Sequence, residues 1–556
     1  MGVSLGAILG AILAPIFDWT PAERFGEIIL AGHLQGILIF AIPNVIISGV
    51  LLFGLAILYR SAIVSFIGSM LILVLYVVSA GFMDDIQKEW IANLLDPFGD
   101  RPFEIATKYL TVDEKNYHAV TLHGDLLLNR LLWLGIAGII LTAIYFKFSF
   151  NTKNEKVAKT KKAKIIEIPL VLNDTSFLNQ KSATFSFNTF LRITRFELKA
   201  VIKNPSFIIL TAIGMINLIV GLSSFTSRYG VSQYPVTYSV VDTIENAFNI
   251  FLLGFIVFYT GILVWKERDA KFNEIQDATP IRSNFLFFSK LIAIVVAIAI
   301  VYAVAIVFGV VTQTLMGYYN YELDVYFESL FLIRLSGLCF LVVLSLLFHY
   351  LINNRYIAYF AFAAFIILNS FIWGLLEINS NMLSFGARPS VTYSDMNGFG
   401  PFVPGLIGFS IYWFLFSCLL CFVCLAFYVR GKESIFRYRW TLAKQSFKAN
   451  RLGIAAAMLA FLLYGGFVYY NTKVLNTYDS SKEQENLQVD YEKKYKRFEN
   501  LNQPRYCKFN YVIDIMPEDR SMKAKIEAWA KNKSNAPITE LHFTMPQLTD
   551  SIIIDI

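Results

Sequence analysis

The sequence predicts an all-α polytopic membrane bundle of about eleven transmembrane helices with a short β-strand tail, and three observations predict it. First, 56% of the 556 residues are hydrophobic and only 16% are charged, with a mean hydropathy of +0.54. Soluble domains carry about 45–50% apolar and about 25% charged residues, and a soluble chain of this size has no surface to spare for the surplus. Second, apolar runs close to the ~20 residues needed to cross a bilayer recur between polar stretches. Third, the net charge of +7 is gathered into a few stretches between those runs, the pattern of loops retained on the cytoplasmic side. The lipid bilayer is the expected partner, and nucleic acid is not.

The apolar runs place a first group of spans at Gly2–Phe17, Leu34–Tyr59, Ala62–Phe82 and Leu131–Lys147. A second group follows at Phe207–Phe225, Phe248–Trp265, Leu291–Thr314, Phe331–Tyr350, Tyr356–Leu376 and Val403–Val429, and a last span at Leu452–Tyr470. Gly2–Phe17 lacks the charged front end and cleavage signal of a secretory leader. Orientation follows from charge. Lys147–Lys164 holds seven lysines against Glu155, and Arg430–Arg451 is also strongly basic, so both stretches are expected inside. The loop Met83–Arg130 is predominantly acidic and is expected outside. Six spans separate the two basic stretches, an even number, as two same-side loops require. The N-terminus is thus expected in the cytoplasm of a cell with an inner membrane, and the C-terminal tail in the periplasm.

An internal repeat organises the spans. LFGLAILYRSAIVSF, an apolar run and the loop LLDPFGDRPFEIATKYLTVDEKN parallel LLFHYLINNRYIAYF, an apolar run and NMLSFGARPSVTYSDMN. Arg60 matches Arg355, Phe98–Gly99 match Phe385–Gly386, and Asn116 matches Asn397. With six spans in the second set and four in the first, two spans are expected to be missing from the start of the first set. Residues 1–147 then form an incomplete first half, 148–186 a basic linker, 187–430 the second half, 431–451 a basic loop, 452–470 a final span and 471–556 the tail.

Before the second set, Arg192, Arg195, Lys199 and Lys203 recur at helical spacing opposite Leu191, Leu198, Val201 and Ile202, an amphipathic helix suited to the inner interface that Pro205 ends. In the tail, Tyr478–Arg497 is a charged helix or extended linker. Beyond Arg505 the period becomes two: Cys507, Phe509, Tyr511, Ile513 and Ile515 alternate with polar residues, and a turn at Pro517–Arg520 leads to a second alternating run. A hairpin with one buried face is expected, with LHFTMP and SIIIDI as further strands. Four such strands do not complete a domain, so the tail reads as cut short.

Motifs for soluble chemistry are missing. There is no G-x-x-x-x-G-K-[ST] to cradle phosphates and no H-E-x-x-H to hold zinc, so no catalytic or metal-binding residue and no enzyme activity are expected on this chain. His118 and His123 have the wrong spacing for a helical metal site and are read as outer-loop surface residues. Cys418, Cys421 and Cys424 lie within an apolar run and are read as small packing residues on one helical face. Arg334 and His349 fall near span ends, where interfacial positions are expected, and Pro43–Asn44 is a possible break in a span.

The most informative loop is WKERDAKFNEIQDATPIRSNF, residues 265–285, dense in charge of both signs. It reads either as a solvated loop or as a short charged helix that docks on a soluble partner. The span–ERDAKFNEIQDATP–span arrangement, the six-helix set and the amphipathic helix before it resemble the permease of a type-2 ABC exporter. The resemblance implies that Glu267, Arg268, Asp269, Glu274 and Pro280 form a coupling element for a cytoplasmic ABC ATPase subunit, which would carry the ATP. The tail segment YEKKYKRFENLNQPRYCKFNYVIDIMPEDRSMKAKIEAWAKNKSNAPITELHF is similar to the opening β-domain of aminopeptidase-N-like zinc peptidases. The whole resembles a Bacteroidota-type fusion of the two, truncated at both ends. Zinc would enter only with a downstream peptidase domain. The expected function is therefore the membrane-spanning subunit of an ABC-type export system. The alternative is a membrane anchor or platform for an extracytoplasmic aminopeptidase-like module.

Overall fold

Ten helices among the described residues are long and apolar enough to cross a membrane, and 74% of those residues are helical. The structure, a computed structural model, describes residues 2–17, 30–59, 61–83, 89–117, 121–148, 187–223, 233–279, 281–400, 402–428, 436–476, 480–519, 521–543, 551 and 553–554. The chain divides into two compact units, Met1–Ile372 with Ser380–Leu475, and Trp373–Asn379 with Asn476–Ile556. It is a multi-pass membrane protein, because helices this apolar have lipid as their solvent.

The first expected span is a short helix, α1 (Gly2–Leu13), continued by a 3-10 turn to Ile16. The long helices of the first half are α2 (Ala31–Tyr59), α3 (Ala62–Gly81) and α7 (Gly124–Lys147). Between the last two lie α4 (Glu89–Leu95), α5 (Asp100–Thr107) and α6 (Val112–Tyr117). The second half opens with α8 (Phe187–Ile202) and continues as α9 (Pro205–Ser223), α10 (Thr237–Asp269), α11 (Asn273–Asp277), α12 (Ser283–Leu315), α13 (Leu323–Leu351), α14 (Arg355–Leu375) and α15 (Phe402–Ala426). Last come α16 (Phe436–Ala449) and α17 (Arg451–Val474).

Three helices run past the charges at which the apolar runs stop. α7 begins two turns before Leu131 and contains Arg130; α10 begins three turns before Phe248 and contains Asp242 and Glu245; α12 contains Lys290. Each extension survives in lipid because its charge finds a partner inside the protein. Arg130 donates to Asn44 Oδ1 at 2.7 Å and Asn129 Oδ1 at 2.6 Å. Glu245 pairs with Arg334, and Lys290 with Glu267 at 2.7 Å. Arg334, expected to reach for headgroups, is half exposed but already committed to Glu245.

α10 is the centre of the core. Ile244, Phe248, Ile256 and Tyr259 are fully buried against α9, α12 and α13, and α3 of the first half joins the same cluster through Ile63, Met70 and Val74. Close approach of α3 depends on Gly254, because a Cβ there would strike the Phe66 ring.

The two segments aligned in sequence share several backbone features. Each half has a π-turn inside a long helix, at Gly36–Ala41 in α2 and Glu328–Arg334 in α13. The ends of these turns, Ala41 and Arg334, and the starts of the next helices, Ala62 and Arg355, are separated by the same 293 positions. That register sets Arg60 level with Asn353 rather than Arg355; Arg60 itself lies outside the described residues. The matched glycines Gly99 and Gly386 both adopt left-handed backbone, at φ 78° and 74°. An indole from the following helix then ties each loop down: Trp133 donates to Leu94 O at 3.1 Å and Trp413 to Ala387 O at 2.8 Å. Asn116 ends in α6 and Asn397 in a turn, so that pair shares no local structure.

The tail unit contains α18 (Ser481–Tyr495), opened by a capping box in which Ser480 Oγ accepts from the Glu483 amide and Glu483 Oε2 accepts from the Ser480 amide at 2.7 Å. Strands β1 (Arg505–Met516) and β2 (Ser521–Lys531) form the expected antiparallel hairpin. Phe509 faces Ala528, Tyr511 faces Ile526 and Ile513 faces Ala524, so the apolar residues share one side; a bulge takes Cys507 out of the ladder. That side is not buried by any described residue, since Phe509 is 45% and Ile515 70% exposed. Leu541–Phe543 is not a strand, and half of the residues of the other two expected strands lie outside the described residues.

Replacing Gly254 by Val should lower stability by about 1–3 kcal/mol through overpacking, and Phe66→Ala in the same chain should restore part of it. Thermal unfolding of the detergent-solubilised single and double variants measures both.

Candidate functional site

The residues that converge most densely outside the apolar core lie where α10 leaves the bundle. The helix closes at Lys271, which adopts left-handed backbone (φ 54°). The Phe272 amide donates to Glu267 O at 2.8 Å and the Lys271 amide to Arg268 O at 3.0 Å. This is a Schellman closure with lysine where glycine is usual. It turns the chain into the five-residue helix α11, after which α12 re-enters the bundle.

The charges before the turn are all paired, Glu267 inside the bundle and Asp269 at its surface. Glu267 Oε1 accepts from Lys290 Nζ of α12, which also donates to the carbonyl of Leu263. Glu197 of α8 pairs with Lys266 and lies 3.9 Å from Lys290 Nζ. The Lys290 and Glu197 side chains are 2% and 3% exposed, so the network is held in low dielectric. Arg268 donates to Asn353 Oδ1 at 2.9 Å and lies over the Trp265 ring. Asp269 accepts from Arg355 at the start of α14 at 2.7 Å. From α16, Arg439 donates to the carbonyls of Tyr350, Leu351 and Phe427, capping the ends of α13 and α15. Burial pushes the Arg439 guanidinium below its ordinary pKa, with Arg268 a secondary cause.

A half-open cleft lies beneath α11, lined by Glu267, Arg268, Asn273, Gln276, Asp277 and Lys290, with Tyr350 and Tyr428 at its floor. His349, expected at an interface, is 2% exposed, and its Nδ1 accepts from Trp265 Nε1 at 3.3 Å. Apolar packing from α14 covers it: the Tyr359 ring sits 5.1 Å away.

The structure therefore divides the five coupling residues implied by resemblance. Glu267, Arg268 and Asp269 are engaged with α12, the turn between α13 and α14, and α14. Glu274 is exposed on α11 beside Phe272 and Ile275, 49% and 63% exposed. Pro280 lies outside the described residues. Sequence reasoning missed Glu197, Lys290, Arg355 and Arg439. Two signals were present: Lys290 is a lone cation in an apolar run, and Glu197 is the only acid on a helix with basic exposed positions. The amphipathic reading of α8 holds for its four cations, all exposed, but its buried face is Thr194, Glu197 and Val201, and Leu191 is exposed.

What the arrangement can do is mechanical: charge pairs tie the end of α10, which leads directly into the surface helix α11, to α8, α12 and α14. Among the described residues, no three His, Cys, Asp or Glu side chains are placed to hold a metal ion, and the cysteines of α15 are free thiols. Removing one member of a buried ion pair strands the others. Lys290→Met should therefore cost about 3–5 kcal/mol, while Asp269→Asn, at an exposed pair, should cost no more than about 1 kcal/mol; denaturant titration of the two variants separates them. No protein-family model matches the chain, and no curated protein or solved structure matches it.

Proposed function

We propose that the chain is the membrane-spanning subunit of an export system of the type-2 ABC class, and that a separate cytoplasmic ATPase subunit docks on α11. The observation that carries this reading is the combination at residues 265–285. A short helix and the residue before it present Phe272, Glu274 and Ile275 outward, while the residues at the end of α10 are locked to three neighbouring helices and the turn between α13 and α14. A partner that moved α11 would move α10 and α12 with it, because Glu267 and Lys290 join them at 2.7 Å.

The duplicated helix–loop–helix geometry supports the same reading, since two related half-sets supply the two sides of a pathway. The basic stretches at 147–164 and 430–451 keep the α11 end on the cytoplasmic side. The chain then sits in the inner membrane with its tail in the periplasm. ATP belongs to the partner, and zinc only to a downstream peptidase domain. The second reading, an anchor for an extracytoplasmic aminopeptidase-like module, draws on the hairpin, whose apolar side is exposed.

Copurification distinguishes them. Phe272→Glu with Ile275→Glu should reduce recovery of an ATPase partner by at least about tenfold, as expected for the loss of exposed apolar anchors, and leave the thermal unfolding of the purified chain unchanged. If an ATPase partner and transport persist undiminished, or no ATPase copurifies with the unaltered chain, the docking reading fails and the anchor reading gains. Charge reversal at Glu267 does not serve as this test, because it would break the internal network.

A further inference from the structure

We propose that α8 and α16 form a pair of in-plane footings that bind the anionic headgroups of phospholipids at the end of the bundle bearing α11. This inference does not depend on the transport reading. It rests on a spacing shared by two helices of unrelated position. On α8 and the residue after it, Arg192, Arg195, Lys199 and Lys203 fall at i, i+3, i+7 and i+11; on α16, Arg437, Trp440, Lys444 and Lys448 fall at the same intervals. Those intervals return to one face of an α-helix, and all eight residues are exposed.

Both helices are fixed at the same end. α8 is tied by Glu197 to Lys266 near the end of α10. α16 is tied by Arg439 to the last carbonyls of α13 and to Phe427, just past α15. Asn353 and Arg355, next along the chain from α13, hold the α10 terminus, so the two tethers meet at one end.

The charge is one-sided. Residues 436–449 contain no carboxylate, and the one acid of α8, Glu197, is buried and paired. No described acid on either helix can neutralise the stripes, so an anionic surface is the complement. Aromatic side chains set the depth. Phe436 and Trp440 form a ring cluster with Phe427, and Lys444 Nζ lies 5.7 Å from the Trp440 ring. Indole beside a cation suits the headgroup level of a bilayer, where the ring meets acyl chains and the ammonium meets phosphate. An acidic soluble protein would satisfy the charge but gives no role to rings held at the bundle's rim.

The test uses the full chain reconstituted in phosphatidylcholine bilayers with trace spin-labelled phosphatidylglycerol or phosphatidylcholine. Electron paramagnetic resonance reads the motionally restricted fraction of each lipid. Phosphatidylglycerol should be preferred several-fold, and rising salt should erode the preference. Reversal of one stripe, with R437E, K444E and K448E together or R192E, R195E and K199E together, should at least halve it, and reversal of both should abolish it. Lys444→Arg with Lys448→Arg should retain it. Equal restriction of the two lipids by the unaltered chain, or a preference that survives reversal of both stripes, overturns the proposal. So does loss of a copurifying acidic protein from the reversal variants when the unaltered chain shows no lipid preference. Salt sensitivity of the unaltered chain tests the electrostatic origin even where a reversal variant fails to fold.

Discussion

One buried ammonium organises the end of this bundle. Lys290 enters an environment where an unpaired charge is untenable, and it is accommodated because Glu267, Glu197 and the Leu263 carbonyl converge on it from two other helices. Those partners belong to α8 and α10, so the lysine fixes the spacing of three elements at once. The other contacts of this region elaborate the same arrangement. Trp265 reaches His349, Arg268 reaches Asn353, Asp269 reaches Arg355, and Arg439 closes the end of α13. Buried charge pairs contribute little net stability over apolar packing, but a mismatched arrangement is heavily penalised. The network therefore selects one geometry for the loop and its short helix.

The two halves reach a similar loop geometry by different side chains. Both have a π-turn near the start of the repeat, a left-handed glycine in the loop and an indole clasping a loop carbonyl. Each also buries an arginine against the loop, but the source differs. In the first half Arg130 comes from α7 and meets Asn44 of α2. In the second Arg388 comes from the loop and meets Ser336 Oγ at 2.8 Å and the Ile333 carbonyl at 2.9 Å, both on α13. The guanidinium fills a similar gap from opposite directions, with Gly99 and Gly337 leaving room for it. Duplicated segments that retain backbone specials and exchange polar anchors are expected when the constraint is satisfaction of polar groups in a dry interior, whatever residue supplies it.

Most of the bundle was legible because lipid imposes a one-dimensional signal: a run of apolar residues of fixed length. The hairpin was legible through its period of two, and the repeat through its order of turn, span and loop. The errors share one cause. Apolar runs were ended at Arg130, Glu245 and Lys290, although each helix continues past its charge. Whether a charge ends a helix depends on a partner 23 to 89 positions away (Glu267 for Lys290, Arg334 for Glu245), and no local pattern carries that information. Charge density singles out 265–285, but does not say that Glu267 meets the buried Lys290 while Glu274 is exposed on the short helix. The helix α1 shows the reverse: its composition is apolar, yet it is twelve residues long, short of a span.

The central claim is that α11 belongs mechanically to the spans and is not a tethered loop. Hydrogen exchange of the reconstituted chain tests it most directly, through the amides of residues 262–278. If the claim holds, the last two turns of α10 and the amides of Gln276 to Ala278 exchange together and slowly, and Glu267→Gln accelerates both segments while leaving α7 unchanged. Free exchange of α11 in the unaltered chain, alongside a protected α10, would contradict it.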